Sequence, residues 1–154
     1  MNSKITIVWL RNDLRLEDNP ALYHAYEYAK NNNSQISIIY ILEDFNCLST
    51  NLGSASKWWL HHSLVNLNKS LNNNLSIYVG DPQEVLKDII NNFNVESINW
   101  NRCYEPWRIQ RDKNIKSKAE EQGIEVNTFN GSLLWEPFKI LKNDGTPYRV
   151  FSPY

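Results

Sequence analysis

The chain has 154 residues, of which 42% are hydrophobic and 21% charged, and a net charge of −1. That length fits one domain able to bury about 68–70% of its unfolded surface, and the near-neutral balance excludes a global field that would draw it onto nucleic acid or an anionic membrane. The two cysteines, Cys47 and Cys103, have neither metal-ligand spacing nor the density of a disulfide framework.

The N-terminal stretch MNSKITIVWL is strand-like and lacks the core and cleavage signature of a signal peptide. No apolar run approaches the roughly 20 residues of a membrane span, so no membrane partner is expected and a cytoplasmic location is the default. Ile5–Leu10 is nearly continuous apolar with β-branched residues, the pattern of a strand buried on both faces. Asn19 and Pro20 read as the N-cap and first position of a helix, whose face is marked by Leu22, Ala25, Tyr26 and Ala29. Ile36–Leu42 is a second buried strand. After a loop from Glu43 to Leu52 comes a helix from about Ser54 to Leu71, with Trp58 (or Trp59), Leu64, Leu67 and Leu71 at helical spacing.

Leu75–Val79 is the third strand, and Gly80-Asp81-Pro82 supplies a turn and a cap. Val85, Leu86, Ile89, Ile90 and Phe93 give the next helix its apolar face. Ser97–Trp100 is the fourth strand, a polar helix runs from about Trp107 to Gln122 and is closed by Gly123, and Glu125–Phe129 is the fifth strand. This alternation predicts right-handed βαβ units: an α/β, Rossmann-like, doubly wound five-stranded parallel sheet with helices on both faces. The common doubly wound order is 3-2-1-4-5. Residues 1–130 form this domain. The last 24 residues, 131–154, hold three prolines, two glycines and many Leu, Trp, Phe and Tyr without helical period, and read as a connector that packs on something.

With that strand order the topology reverses between the first and fourth strands, and a ligand is expected in the crevice beyond their carboxyl ends. Residues 11–19 (RNDLRLEDN) and 101–107 (NRCYEPW) fall there and concentrate charged and hydrogen-bonding groups. No Gly-x-Gly-x-x-Gly follows the first strand and no P-loop is present, which argues against a dinucleotide or nucleotide phosphate cradle.

WLRNDLRLEDNPAL (9–22) resembles the opening signature of the photolyases and cryptochromes. The resemblance continues through GSASKWWLHHSL (53–64), GDPQEVL (80–86), WNRCYEPWRIQRD (100–112) and GSLLWEPFKI with GTPYRVFSPY (131–154), in order and in register. It implies an α/β domain that holds an antenna chromophore, a reduced folate or a deazaflavin and less often FMN. A helical domain beyond the interdomain linker, whose start 131–154 resembles, would bind FAD and the flipped-out pyrimidine dimer, and the excited reduced FAD would split the dimer by electron donation. The expected partner is that FAD-binding helical domain, docked on 131–154, with DNA engaged only through it. Carried over by position, the antenna pocket would comprise Arg11, Asn12, Glu43, Lys57, Arg102, Cys103 and Glu105; no catalytic residue and no metal ligand is expected in this chain. Cys103 stands where many deazaflavin-binding relatives carry an acid, and Trp107-Arg108 where the best-known folate binders carry Asn-Glu, so the pigment stays open.

Several of these residues have plainer readings. Arg11, Asp13, Arg15 and Asp18 equally fit a salt-bridge network pinning the first loop. His61 and His62, adjacent on a helix, point apart and suit solvent or packing rather than a metal, as does His24. Cys103 reads as a plain thiol that could line the pocket. Arg108, Arg111, Lys113, Lys116 and Lys118 read as a solvated helix face rather than a DNA stripe. Trp58, Trp59 and Trp100 read as core, and Trp107 and Trp135 as an interdomain surface. Two other functions fit the same chain: an interaction subunit whose segment 131–154 docks a separately encoded FAD-binding half, and a stand-alone nucleotide-binding protein using the crevice.

Overall fold

The computed structural model describes residues 3–43, 52–142 and 144–147. The readings placed on Cys47 and on the chain beyond residue 147 lie outside them. Five strands, β1 (Ile5–Leu10), β2 (Gln35–Leu42), β3 (Leu75–Val79), β4 (Val95–Asn101) and β5 (Glu125–Phe129), pair in parallel in the order β3-β2-β1-β4-β5. Four helices connect them: α1 (Pro20–Asn32), α2 (Ser54–Ser70), α3 (Pro82–Asn92) and α4 (Pro106–Glu120). Among the described residues no helix is long and apolar enough to cross a membrane.

Strand alternation divides the core into two layers. Ile7, Trp9, Ile39, Ile41, Ile98 and Trp100 point to one face and meet Leu86 and Ile89 of α3 and Ile115 and Ala119 of α4. Trp9 and Trp100 meet edge to face, ring centroids 5.6 Å apart, a geometry that stabilises aromatic pairs beyond their buried area. On the other face, Val8 and Leu10 pack with Ala25 of α1 and Leu67 of α2.

Helix α1 starts as the sequence expects: Asn19 Oδ1 accepts from the Leu22 N–H at 3.2 Å and Pro20 occupies the first turn. Its buried stripe, however, is Ala21, Ala25 and Ala29, and Tyr26 is exposed. The reason lies beneath it: β4 presents Ser97, Asn99 and Asn101, all buried, and alanines let the helix come close enough for His24 Nδ1 to meet Asn99 Oδ1 at 3.0 Å. Helix α2 corrects a second expectation. Leu64 and Leu67 are buried, whereas Trp58 and Trp59 are 61% and 71% exposed. Leu60, Leu64, Leu67 and Leu71 form one stripe, and Trp58 sits roughly 120° from Leu64 around the helix, so the leucines take the sheet and the tryptophans face outward. Trp100 is core, as expected. After α4, Gly123 adopts φ +78°, a left-handed conformation that glycine adopts without penalty.

Candidate functional site

The carboxyl ends of β1 and β4 lie side by side, and the loops that leave them are fixed by buried polar groups. Asn101, the last residue of β4, donates from Nδ2 to Asp13 at 2.5 Å and to Asn19 at 2.8 Å, and its Oδ1 accepts the Ala21 N–H at 3.2 Å. Asp13 also accepts the Arg11 N–H at 2.8 Å. One side chain thus ties the β1 loop, the α1 cap and β4 together. The first loop is pinned, but not by the salt-bridge network expected among Arg11, Asp13, Arg15 and Asp18: the ion pair of Arg11 goes to Asp112, and hydrogen bonds hold the rest. Arg15 donates to the carbonyls of Asp18 (2.9 Å) and Gly131 (2.5 Å) rather than to a carboxylate.

Arg11 lies deeper. It is 6% exposed, stacks over Trp9 at 4.9 Å, and donates to Asp112 of α4 and to the Asn101 carbonyl; its Nε is buried without a hydrogen-bond partner. Asp112 is shared: Arg111 donates to its other oxygen at 2.9 and 3.1 Å and pairs with Glu43 at 2.8 Å. The Arg111 guanidinium also lies 5.2 Å from the Trp9 ring and 5.4 Å from that of Trp107. The expectation that Arg111 belongs to a solvated helix face is therefore corrected: Arg111 and Asp112 turn inward, because two acids and two arginines neutralise one another against Trp9.

Between the loops opens a crevice of about 360 Å³, lined by Asn12, Asp13, Arg15, Asn101, Arg102, Cys103, Tyr104, Glu105, Gly131 and Ser132. Of the seven residues expected from sequence, Asn12, Arg102, Cys103 and Glu105 meet here. Arg11 and Glu43 belong to the ion network around Asp112 and Arg111, and Arg11 also lines the neighbouring groove. Lys57 sits on the exposed face of α2 and lines neither this crevice nor the neighbouring groove. That groove, about 700 Å³, runs between residues 11–15 and α2, where Trp59 and Leu60 form part of its wall. Burial pushes the Cys103 thiol up against the opposing influence of Arg11 and of Arg108, whose Nη1 approaches Sγ at 3.4 Å, so the group is a neutral thiol at pH 7. Glu105 precedes α4 and pairs loosely with Arg108 at 3.5 Å.

The residue that sequence reasoning missed is Glu136. It is 2% exposed and accepts from Arg102 Nε at 2.7 Å and from the Tyr104 hydroxyl at 2.9 Å, with Lys139 3.6 Å away. Arg102 spends its remaining donors on the Thr128 carbonyl and hydroxyl. Burial pushes the Glu136 carboxyl up, but the bonds from Tyr104 and Arg102 and the charges of Arg102 and Lys139 outweigh it and hold the group below the ordinary carboxylate range. The only sequence signal was a lone acid between Trp135 and Pro137 in an apolar stretch. His61 and His62 are exposed neighbours, and among the described residues no group of three or more His, Cys, Asp or Glu is placed to hold a metal ion.

The fold is a doubly wound parallel α/β sheet with a polar crevice at its switch point, the position where sheets of this kind take ligands. The DNA photolyase family model matches residues 6–154, and the chain belongs to that family. It is 39% identical over 151 residues to a deoxyribodipyrimidine photo-lyase of Agrobacterium fabrum, covering 96% of this chain and 30% of that protein. It is 36% identical to cryptochrome-2 of Arabidopsis thaliana, covering 98% of this chain and 24% of that one. The crystal structure of a bacterial class III photolyase from Agrobacterium tumefaciens superimposes with a TM-score of 0.83 at 38% identity, over 99% of this chain and 31% of that one. An archaeal photolyase from Sulfolobus tokodaii, described with two FAD molecules and an implied novel light-harvesting cofactor, gives 0.71 at 27% identity over 86% and 31%. The chain thus spans about a third or less of the length of these relatives.

Proposed function

We propose that this chain is the antenna-chromophore domain of a photolyase-type protein, which in its full extent splits pyrimidine dimers in DNA with light. The observation that carries this reading is the convergence of Asn12, Arg102, Cys103 and Glu105 on one crevice at the carboxyl ends of β1 and β4. The Sulfolobus relative, with its implied light-harvesting cofactor, lends it support.

The lining suits a flat, polar heterocycle. Asn12 offers both a donor and an acceptor, Glu105 an exposed carboxylate, and Cys103 a neutral, polarisable wall. A crevice of this size falls at the small end of ligand sites, enough for the ring system of a reduced folate or a deazaflavin (or the isoalloxazine of FMN) with its tail outside. The pigment would supply light absorption; the chain's own residues bind it, orient it and exclude water from one face. Arg11, absent from the crevice lining, acts here as a brace through the Asn101 carbonyl and Asp112 rather than as a contact to the ligand. FAD, the lesion and DNA belong to the helical domain of the full protein, which segment 131–154 would meet with Leu134, Trp135 and Phe138, all exposed. A stand-alone nucleotide-binding role is less favoured, since residues 11–19 contain no glycine to cradle a phosphate.

The test is a titration of the chain with a reduced folate, a deazaflavin and FMN, followed by absorbance and thermal shift. Saturable binding of one pigment, weakened by Asn12→Ala or Glu105→Ala, upholds the reading. Binding of none, by a chain that is folded by circular dichroism, refutes it.

A further inference from the structure

The crevice wall opposite Asn12 is built by the segment that follows β5. Gly131 and Ser132 line the cavity, and an added Cβ at Gly131 would lie 2.5 Å from the Asn101 side chain. The segment is held there at three points. Arg15 grips the Gly131 carbonyl. Asn130 accepts the Ser132 and Leu133 N–H groups at 3.3 and 2.9 Å, closing a turn, and its Oδ1 lies 3.2 Å from the Tyr104 hydroxyl. Glu136 then takes both Arg102 and Tyr104.

Arg102 and Tyr104 flank Cys103 and line the crevice; Glu136 does not. We infer that Glu136 is a positioning residue for the crevice ligand: by clamping Arg102 and Tyr104 to segment 130–136 it fixes how far apart the two walls stand, so that ligand binding and the seating of this segment are coupled. The inference rests on the chromophore reading above. Its physical basis is the burial of the carboxylate. A nearly inaccessible acid with a charge-assisted partner on one side and a phenol on the other has one low-energy position, and removing it leaves Arg102 only Thr128 and Tyr104 only Asn130, so both wall residues lose their tie to the far end of the segment. Coupling of this kind is reciprocal: whatever factor the clamp contributes to ligand affinity, the ligand contributes to holding the segment.

The decisive experiment compares the wild-type chain with Glu136→Ala, Glu136→Gln and the control Leu141→Ala, a side chain 40% exposed farther along the same segment. For each, the dissociation constant and absorption band of whichever pigment binds are measured, together with the rate at which a protease cuts near residues 133–135 with and without pigment. The expected result is a loss of affinity of roughly tenfold and a displaced band in Glu136→Ala. Glu136→Gln, which keeps an acceptor, should recover part of both, and Leu141→Ala should match wild type. Pigment should slow cutting of wild type but much less that of Glu136→Ala. A purely structural Glu136 would lower the melting temperature while leaving affinity, band and pigment protection unchanged, and that outcome overturns the inference. If Glu136→Ala does not fold, Glu136→Gln decides by the same criteria. Failure of the wild-type chain to bind any pigment sinks the chromophore reading itself, and this inference with it.

Discussion

Asp112 is the place to test how the floor of the crevice is held. Its carboxylate is buried and receives Arg11 on one oxygen and Arg111 on the other. In Asp112→Ala two guanidiniums lose their shared counter-charge against Trp9; Arg111 keeps Glu43 at 2.8 Å, and Arg11 keeps only the Asn101 carbonyl. Breaking a buried pair by removing one partner costs about 3–5 kcal/mol, a fifth or more of the roughly 5–15 kcal/mol that holds a domain of this kind. At about 2–4 °C per kcal/mol for a chain of this size, the melting temperature should fall by roughly 10 °C. Arg11→Leu should cost less, since Asp112 then still has Arg111, and Arg11→Leu with Asp112→Ala should cost less than the two single changes added together, because Arg11 is no longer left as an orphaned charge. Urea unfolding, followed by tryptophan fluorescence and far-ultraviolet circular dichroism, measures all three. A cost below about 1 kcal/mol for Asp112→Ala, the range of exposed ion pairs, would show that water reaches this network and that the floor is not held as argued.

Three further outcomes are expected. Gly131→Ala drives a Cβ into Asn101, whose side chain is already committed to Asp13, Asn19 and the Ala21 N–H, so the wall must shift at a cost of about 1–3 kcal/mol; thermal unfolding reads it, and a loss under a few tenths would mean that the segment does not sit on Asn101. In a Cys47→Ser background, Cys103 should react with iodoacetamide at about pH 8 several-fold more slowly than a free thiol, because burial keeps it protonated; a rate equal to that of free cysteine would contradict its burial. The depressed Glu136 carboxyl contributes stability that is present at neutral pH, above its unfolded value, and is lost as pH falls through its lower folded value. The stability gap between wild type and Glu136→Gln should therefore be widest near neutrality and close in acid below the usual carboxylate range; a pH-independent gap in urea titrations would show that the charge of Glu136 is not what matters.

What the sequence made legible is what local physics decides. The limits of β1 follow from Ile5–Leu10, whose β-branched, apolar residues suit a covered sheet; those of β3 and β5 were legible too, although Ile77 and Val79 of β3 stay exposed at the sheet edge. The start of α1 follows from Asn19-Pro20, since a side-chain acceptor and a fixed φ are what a first helical turn requires. The crevice followed from topology, because the reversal of strand order leaves a gap at the carboxyl ends of β1 and β4 whatever residues line it. Competition was not legible. On α2 both Trp58 and Leu60 could begin an apolar stripe, and only the sheet beneath selects the leucines.

Long-range pairing was still less accessible. Arg111 and Asp112 sit in a polar stretch with the composition of a solvated face, and the residues that draw them inward, Arg11 and Glu43, lie 101 and 68 positions away, a separation without a period to detect. Glu136 shows the same limit in its sharpest form. A carboxylate between Trp135 and Pro137 has no meaning until Arg102 and Tyr104, each more than 30 residues earlier, are seen to close on it. A buried acid is costly unless paired, so its place in an apolar stretch already implies a partner; only the fold says that the partners are the wall of the crevice, and that makes the segment after β5 part of the site rather than a passive continuation of the chain.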